Sequence, residues 1–115
     1  MLAKNIAIKK RKILLEAELK RIVEIIKSRY HPEKIILFGS LASGEIHEWS
    51  DIDLAIVKRT RKRGITRFLE IADLCKNRVG AHFLVYTPKE FNRLVTDNSS
   101  FLAAEVVSRG KTVYP

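Results

Sequence analysis

One stretch, IILFGSLASGEIHEWSDIDLAIV at residues 35–57, limits the fold of this chain more than any other. Its two apolar runs are short enough to be buried strands, and Asp51 and Asp53 stand at the entrance to the second. Side chains two apart on a strand leave the same face, with α-carbons about 6.5–7 Å apart. The fold must therefore hold two like charges together beside a hydrophobic core. Such a pair drives at least one carboxyl pKa upward unless a cation lies between the two. Hard oxygen donors of this kind suit Mg²⁺ or Mn²⁺, completed by waters and phosphate oxygens. Two such ions about 3.5–4 Å apart clamp the attacking and leaving oxygens of a phosphoryl-type displacement. On this reading Asp51 and Asp53 are metal ligands. An Asp-x-Asp standing alone is explained as readily by a solvated strand edge.

Gly39 and Ser40 shift that balance, because they fall where the first strand turns into a short helix, SLASG, closed by Gly44. A residue without a side chain lets backbone approach a phosphate there, and the helix start offers free N–H groups. Ser40 can donate its hydroxyl to a phosphate oxygen or act as helix N-cap. Two other phosphate-binding patterns fail on the letters. GSLASGEI has Glu45 and Ile46 where a P-loop needs Lys and Ser or Thr, and it lacks the middle glycine of a dinucleotide fingerprint.

Around this stretch the chain alternates helices and strands. Leu15, Leu19, Ile22, Ile26 and Tyr30 repeat at spacings of three and four, which predicts a helix over about 8–29 ended by His31-Pro32. KIILF, DIDLAIV, AHFLVY and the terminal KTVY read as strands, and residues 65–78 as a helix with a stripe of Ile65, Phe68, Ala72, Cys75 and Val79. In TPKE, Thr87 is set to cap a helix, with Pro88 at its first position and Glu90 closing a capping box. A last helix over about 100–108 is expected to leave through a left-handed Gly110. The expectation is one domain over 1–115, of class α/β (α+β), with a small mixed sheet flanked by helices.

Composition narrows the partners. Lysine and arginine total 22 against 13 acidic residues, a net charge of +9, which favours anionic partners. Much of it lies in KKRK (Lys9–Lys12) and in the run Lys58–Arg63. Each is explained as a solvated helix end or loop, or as a contact for a partner or for nucleic acid. The second run follows the far end of the strand that begins at the aspartates, about 15–20 Å from them. The single cysteine, Cys75, reads as a core residue. No apolar run reaches membrane-spanning length, no signal peptide is evident, and the expected location is the cytoplasm.

FGSLASGEIHEWSDIDLAIV resembles the signature of the minimal nucleotidyltransferases of the DNA polymerase β superfamily: apolar strand, Gly-Ser, a short helix ending in Gly, then Ser-Asp-x-Asp on the next strand. VYTPKEF and the closing GKTVY extend the likeness. The resemblance implies the nucleotidyltransferase fold and transfer of a nucleoside monophosphate, AMP from ATP or from another triphosphate, to a hydroxyl. It implies that Gly39, Ser40 and Ser50 bind nucleotide and that Asp51 and Asp53 hold two Mg²⁺ ions. It also implies a HEPN-domain protein, a toxin RNase, as partner. Two positions depart from the pattern. His82 stands where the superfamily has a third carboxylate; a neutral imidazole can serve as general base, or be an ordinary sheet histidine. Ser43 stands where many relatives carry a basic residue, and Leu41 supplies no substitute.

Trp49, beside the Ser50-Asp51 pair, is expected to cap the core from its loop, with base stacking as the alternative. His31 and His47 have no zinc-site spacing with each other or with Cys75. The leading reading is a metal-dependent nucleotidyltransferase acting on a partner protein. Its rivals are a catalytically weakened module that masks a HEPN-type partner, and a nucleic-acid-binding protein whose affinity falls steeply with salt. A homo-oligomer is compatible with all three.

Overall fold

The computed structural model describes residues 2–97 and 100–115. Helix α1 (Leu2–Ile25) continues through a π-helical turn, Ile26–Tyr30, and is followed by β1 (Lys34–Phe38), α2 (Gly39–Ser43), β2 (Ile52–Val57), α3 (Gly64–Cys75), β3 (Ala81–Tyr86) and α4 (Pro88–Thr96). A three-residue helix, α5 (Phe101–Ala103), runs into a second π-helical turn at Ala104–Ser108, and β4 (Lys111–Tyr114) closes the chain. The strands form one mixed sheet in the order β3-β2-β1-β4, in which only β2 and β3 run parallel. A parallel pair needs a crossover, and α3 supplies it.

Strand alternation divides the core between the two faces of the sheet. Ile35 and Leu37 of β1 and Ile52, Leu54 and Ile56 of β2 join Leu15, Ile22, Ile26, Ile71, Cys75 and Phe83 in the larger cluster under α1 and α3. Ile36, Phe38 and Ala55 face the other way, against Val106, Leu84, Phe91 and Leu102. Asp53 belongs to this second, thinner face. Its neighbours in register are Phe38 on β1 and His82 on β3.

Several sequence expectations meet the structure here. Leu15, Ile22, Ile26 and Tyr30 are buried as the stripe requires, and His31 terminates the helix in the left-handed region at φ 54°. The helix begins at Leu2 and not near residue 8, because its exposed first turns carry good helix formers but no buried stripe to reveal them. Thr87 and Glu90 form the expected capping box around Pro88. The stripe read on α3 is displaced: Ile65 and Phe68 are exposed, and the buried face is Arg67, Ile71 and Cys75. Arg67 is held there by bonds to the Lys62 and Val85 carbonyls and to Glu90 Oε1, a polar seat that a hydrophobic pattern does not register.

Gly110 also plays another part than expected. Its φ is not positive; instead a Cβ there would overlap the Val106 carbonyl oxygen. Close packing of β4's entry against the preceding turn is what excludes a side chain.

Candidate functional site

The turn from β1 into α2 sets one wall of the site. Gly39 has φ 73°, and a Cβ on it would overlap Asp53 Oδ2. Glycine is needed twice at this position, for the backbone angle and for the carboxylate lying against it. Phe38 caps α2, so Ser40 lies within the helix and is not its N-cap. Its hydroxyl has no partner among the described residues, while its carbonyl receives the Gly44 N–H at 2.9 Å.

Asp51 lies just ahead of β2 and Asp53 within it. A Cβ on Gly80 would overlap Asp51 Oδ1, so each carboxylate rests against a glycine from a different loop. Asp53 Oδ1 sits 2.8 Å from His82 Nδ1, a pairing produced by the parallel register of β2 with β3. Burial pushes the Asp53 carboxyl above its ordinary range; the His82 hydrogen bond opposes this, and the charges of Asp51 and Glu105 add to it. Asp53 is therefore a half-buried acid whose charge the protein compensates only in part.

The other carboxylate has a cationic neighbour that the linear pattern does not disclose. Arg11 of α1 donates through Nη2 to Asp51 Oδ1 at 3.2 Å and through Nε to the Ser50 carbonyl at 2.8 Å. One member of the KKRK cluster thus turns inward while Lys9, Lys10 and Lys12 stay exposed. Ser50, expected to bind nucleotide, is 2% exposed, and its Oγ accepts the His47 N–H at 2.9 Å. It pins the 47–50 loop that aims Asp51. Trp49 does not cap the core: it is 80% exposed.

The two carboxylates can be tested as metal donors from their own bonding. Oδ2 of each makes no hydrogen bond among the described residues. Among the same residues, no group of three or more His, Cys, Asp and Glu side chains converges as a metal cluster. Two hard, incompletely satisfied oxygens fit an ion that takes its remaining ligands from water and phosphate, as Mg²⁺ does. They do not fit zinc, which needs three or four protein ligands.

Gly39, Ser40 and Ser43 form one side of a cleft of about 310 Å³, with Glu45, His47, Glu105 and Arg109 completing it. A larger cleft of about 460 Å³ lies between β3 and α4, but its Arg67 and Glu90 are paired with each other at 2.6 Å. At the far end of β2 three of the five basic residues of the run are paired within the fold. Lys58 donates to the Tyr30 carbonyl, Arg59 pairs with Glu33 and Lys62 with Glu70. Cys75 is buried, its thiol pushed up to about 11, which leaves it unreactive. No helix of the described chain is long and apolar enough to cross a membrane.

Residues 20–115 match the family described as polymerase beta, nucleotidyltransferase. A protein of Methanocaldococcus jannaschii, provisionally named a protein adenylyltransferase, is 36% identical over 106 residues, covering 86% of this chain and 97% of its own. A crystal structure of a protein from Sulfolobus solfataricus, provisionally described as a nucleotidyltransferase, aligns with a TM-score of 0.60 at 24% identity, over 76% of this chain and 79% of that one. A crystal structure of a toxin–antitoxin with AMP-PNP aligns with a TM-score of 0.56 at 23% identity, over 83% and 71%. At these identities the two structures speak for the fold.

Proposed function

The chain belongs to the polymerase β nucleotidyltransferase family, and from that premise we propose that it transfers AMP from ATP to a hydroxyl on a partner protein. The observation that carries this reading is the 2.8 Å pairing of Asp53 with His82, set beside Asp51 and over the Gly39 turn. The name of the Methanocaldococcus jannaschii relative supports a protein as acceptor.

In the proposed reaction the acceptor oxygen forms a bond to the α-phosphorus as the bond to pyrophosphate breaks, and the hydroxyl proton passes to His82. Asp53 orients that imidazole. With Nδ1–H donated to the carboxylate, Nε2 keeps its lone pair, and on a side chain that is 67% exposed it can serve as general base. Gly39 and Ser40 bind phosphate through the open backbone of the turn and the unpartnered hydroxyl. Asp51 and Asp53 would hold Mg²⁺ or Mn²⁺ through their uncommitted oxygens, and the bound ion supplies charge neutralisation at the phosphates. Ser50 and Arg11 keep Asp51 in place.

A second reading is favoured by the Arg11 contact on Asp51 and by an imidazole where the superfamily has an acid. It takes the protein as a nucleotide-binding module that masks a HEPN-type toxin, consistent with the toxin–antitoxin fold neighbour. One experiment separates the two. The protein is incubated with ATP labelled at the α-phosphate, Mg²⁺ and a HEPN-domain protein encoded beside it, and the partner is analysed by mass. Transfer of AMP that Asp53→Ala abolishes supports the enzyme. A silent wild type that gains transfer in His82→Asp supports the masking module. Binding that survives loss of both aspartates and weakens steeply with salt, with neither transfer nor masking, would favour nucleic acid as the partner instead.

A further inference from the structure

We infer that Arg109 is the polyphosphate-binding cation of this site, delivered to the nucleotide cleft from the C-terminal end of the chain. The inference rests on the nucleotidyltransferase reading and adds to it a residue outside the Gly-Ser and Asp-x-Asp elements.

The wall of the cleft built by α2 carries no positive charge. Leu41 packs against the larger core cluster. Ser43 Oγ is spent locally, donating to the Ser40 carbonyl at 3.3 Å and accepting the Glu45 N–H at 3.2 Å. A triphosphate entering beside Gly39 and Ser40 would meet hydroxyl and backbone donors there but no cation. Across the same cleft stands Arg109, the one lysine or arginine among the described residues that line it.

Its backbone is well placed for this work. The Arg109 N–H bonds to the Ala104 carbonyl at 3.2 Å. The next residue, Gly110, is packed too tightly against Val106 for any side chain. The strand that follows pairs Lys111 with Leu37, near the end of β1 from which Gly39 and Ser40 emerge. The sheet itself thus brings position 109 to the phosphate turn.

The guanidinium is also chemically available. It makes a single ion pair, Nη1 to Glu105 Oε1 at 3.2 Å, and is 73% exposed. Its remaining N–H groups have no partner among the described residues. A planar fork tethered on one side and open on the other suits bidentate capture of a phosphate. Glu105 is the tether: it is 18% exposed, and both members of the pair line the cleft that Gly39 and Ser40 open into. A purely structural explanation is a partly exposed pair one helical turn apart, and pairs at that spacing add little to stability.

Calorimetric titration of the whole chain with ATP, ADP and AMP in Mg²⁺ tests the inference, using wild type, Arg109→Ala, Arg109→Lys and Arg109→Ala combined with Ser43→Arg. Thermal melting of each variant is the control for folding. Arg109→Ala should weaken ATP by about tenfold or more, the loss of one charge-assisted contact. AMP should change less than about twofold, since it lacks the outer phosphates, and the melting temperature should move by no more than about 3 °C. Lysine at 109, or arginine placed on the opposite wall at 43, should recover part of the ATP affinity. Equal ATP binding by wild type and Arg109→Ala overturns the inference alone, as does an equal loss for ATP and AMP. A wild type that binds none of the three nucleotides overturns the nucleotide-site reading beneath it.

Discussion

Glu18 and Asp53 are both largely shielded carboxylates, and the fold treats them in opposite ways. Glu18, on α1, is 4% exposed and saturated: Arg21 grips it through two nitrogens at 2.6 and 2.9 Å, and the Arg78 N–H adds a third bond at 2.6 Å. Its carboxyl is held below the ordinary range, chiefly by Arg21. Asp53 has one bond, from an imidazole, and burial raises its carboxyl. A carboxylate kept for structure is given every donor it can use. One left partly unsatisfied, next to a second carboxylate and a glycine turn, has capacity for a ligand.

The sharpest way to break this contrast is Asp53→Asn. Transfer should fall by about 10³-fold in the labelling assay, with the melting temperature unchanged or slightly raised. A large loss of stability without loss of transfer would place Asp53 among the structural carboxylates. Glu18→Gln should do the reverse. Breaking its buried pair is expected to cost about 3 kcal/mol in urea unfolding, lowering the melting temperature by about 10 °C, while transfer per folded molecule stays within about twofold. If transfer per folded molecule collapses in Glu18→Gln, the division fails.

Arg11→Ala probes the middle ground, since Arg11 both steadies Asp51 and competes for its charge. Removing it should tighten Mn²⁺ binding by about threefold, measured by paramagnetic resonance, and cost about 1 kcal/mol of stability through the lost bond to the Ser50 carbonyl. Weaker Mn²⁺ binding would mean that aiming Asp51 matters more than freeing it. The smallest effect is the pH dependence of the two variants' stabilities. Glu18, lowered from 4.5, contributes stability above that value that disappears as pH falls through its folded pKa, so the Glu18→Gln deficit should shrink in acid. Asp53, raised from 3.8, contributes most below that value and loses it as pH rises through its folded pKa. Asp53→Asn should therefore gain on wild type as pH rises over that window, and identical pH profiles for the two variants would erase the distinction.

The features legible in the sequence are those made by neighbours along the chain. The capping box of Thr87 and Glu90 spans three residues, the left-handed Gly44 ends its own helix at φ 85°, and the strand KIILF is a local apolar run. The site's second ring escaped because its members lie far apart in sequence. Arg11 reaches Asp51 across 40 residues. Gly80 was one glycine among five, with no local sign that a carboxylate would lie against it. The position of Trp49 suggests a cover for the core, but the hydroxyl of Ser50 and the backbone of His47 close the loop without it. His82 is the intermediate case, located through the resemblance to the nucleotidyltransferase signature and placed beside Asp53 by strand register.

By itself the sequence determined the strands, most helix ends, and the presence of paired acids next to a glycine turn, because hydrogen bonding, capping and alternation act over a few residues. Only the tertiary structure decided which cations meet those acids. That choice depends on how α1 and the C-terminal strand pack around the sheet, and electrostatic partnership through space leaves no periodic trace along the chain.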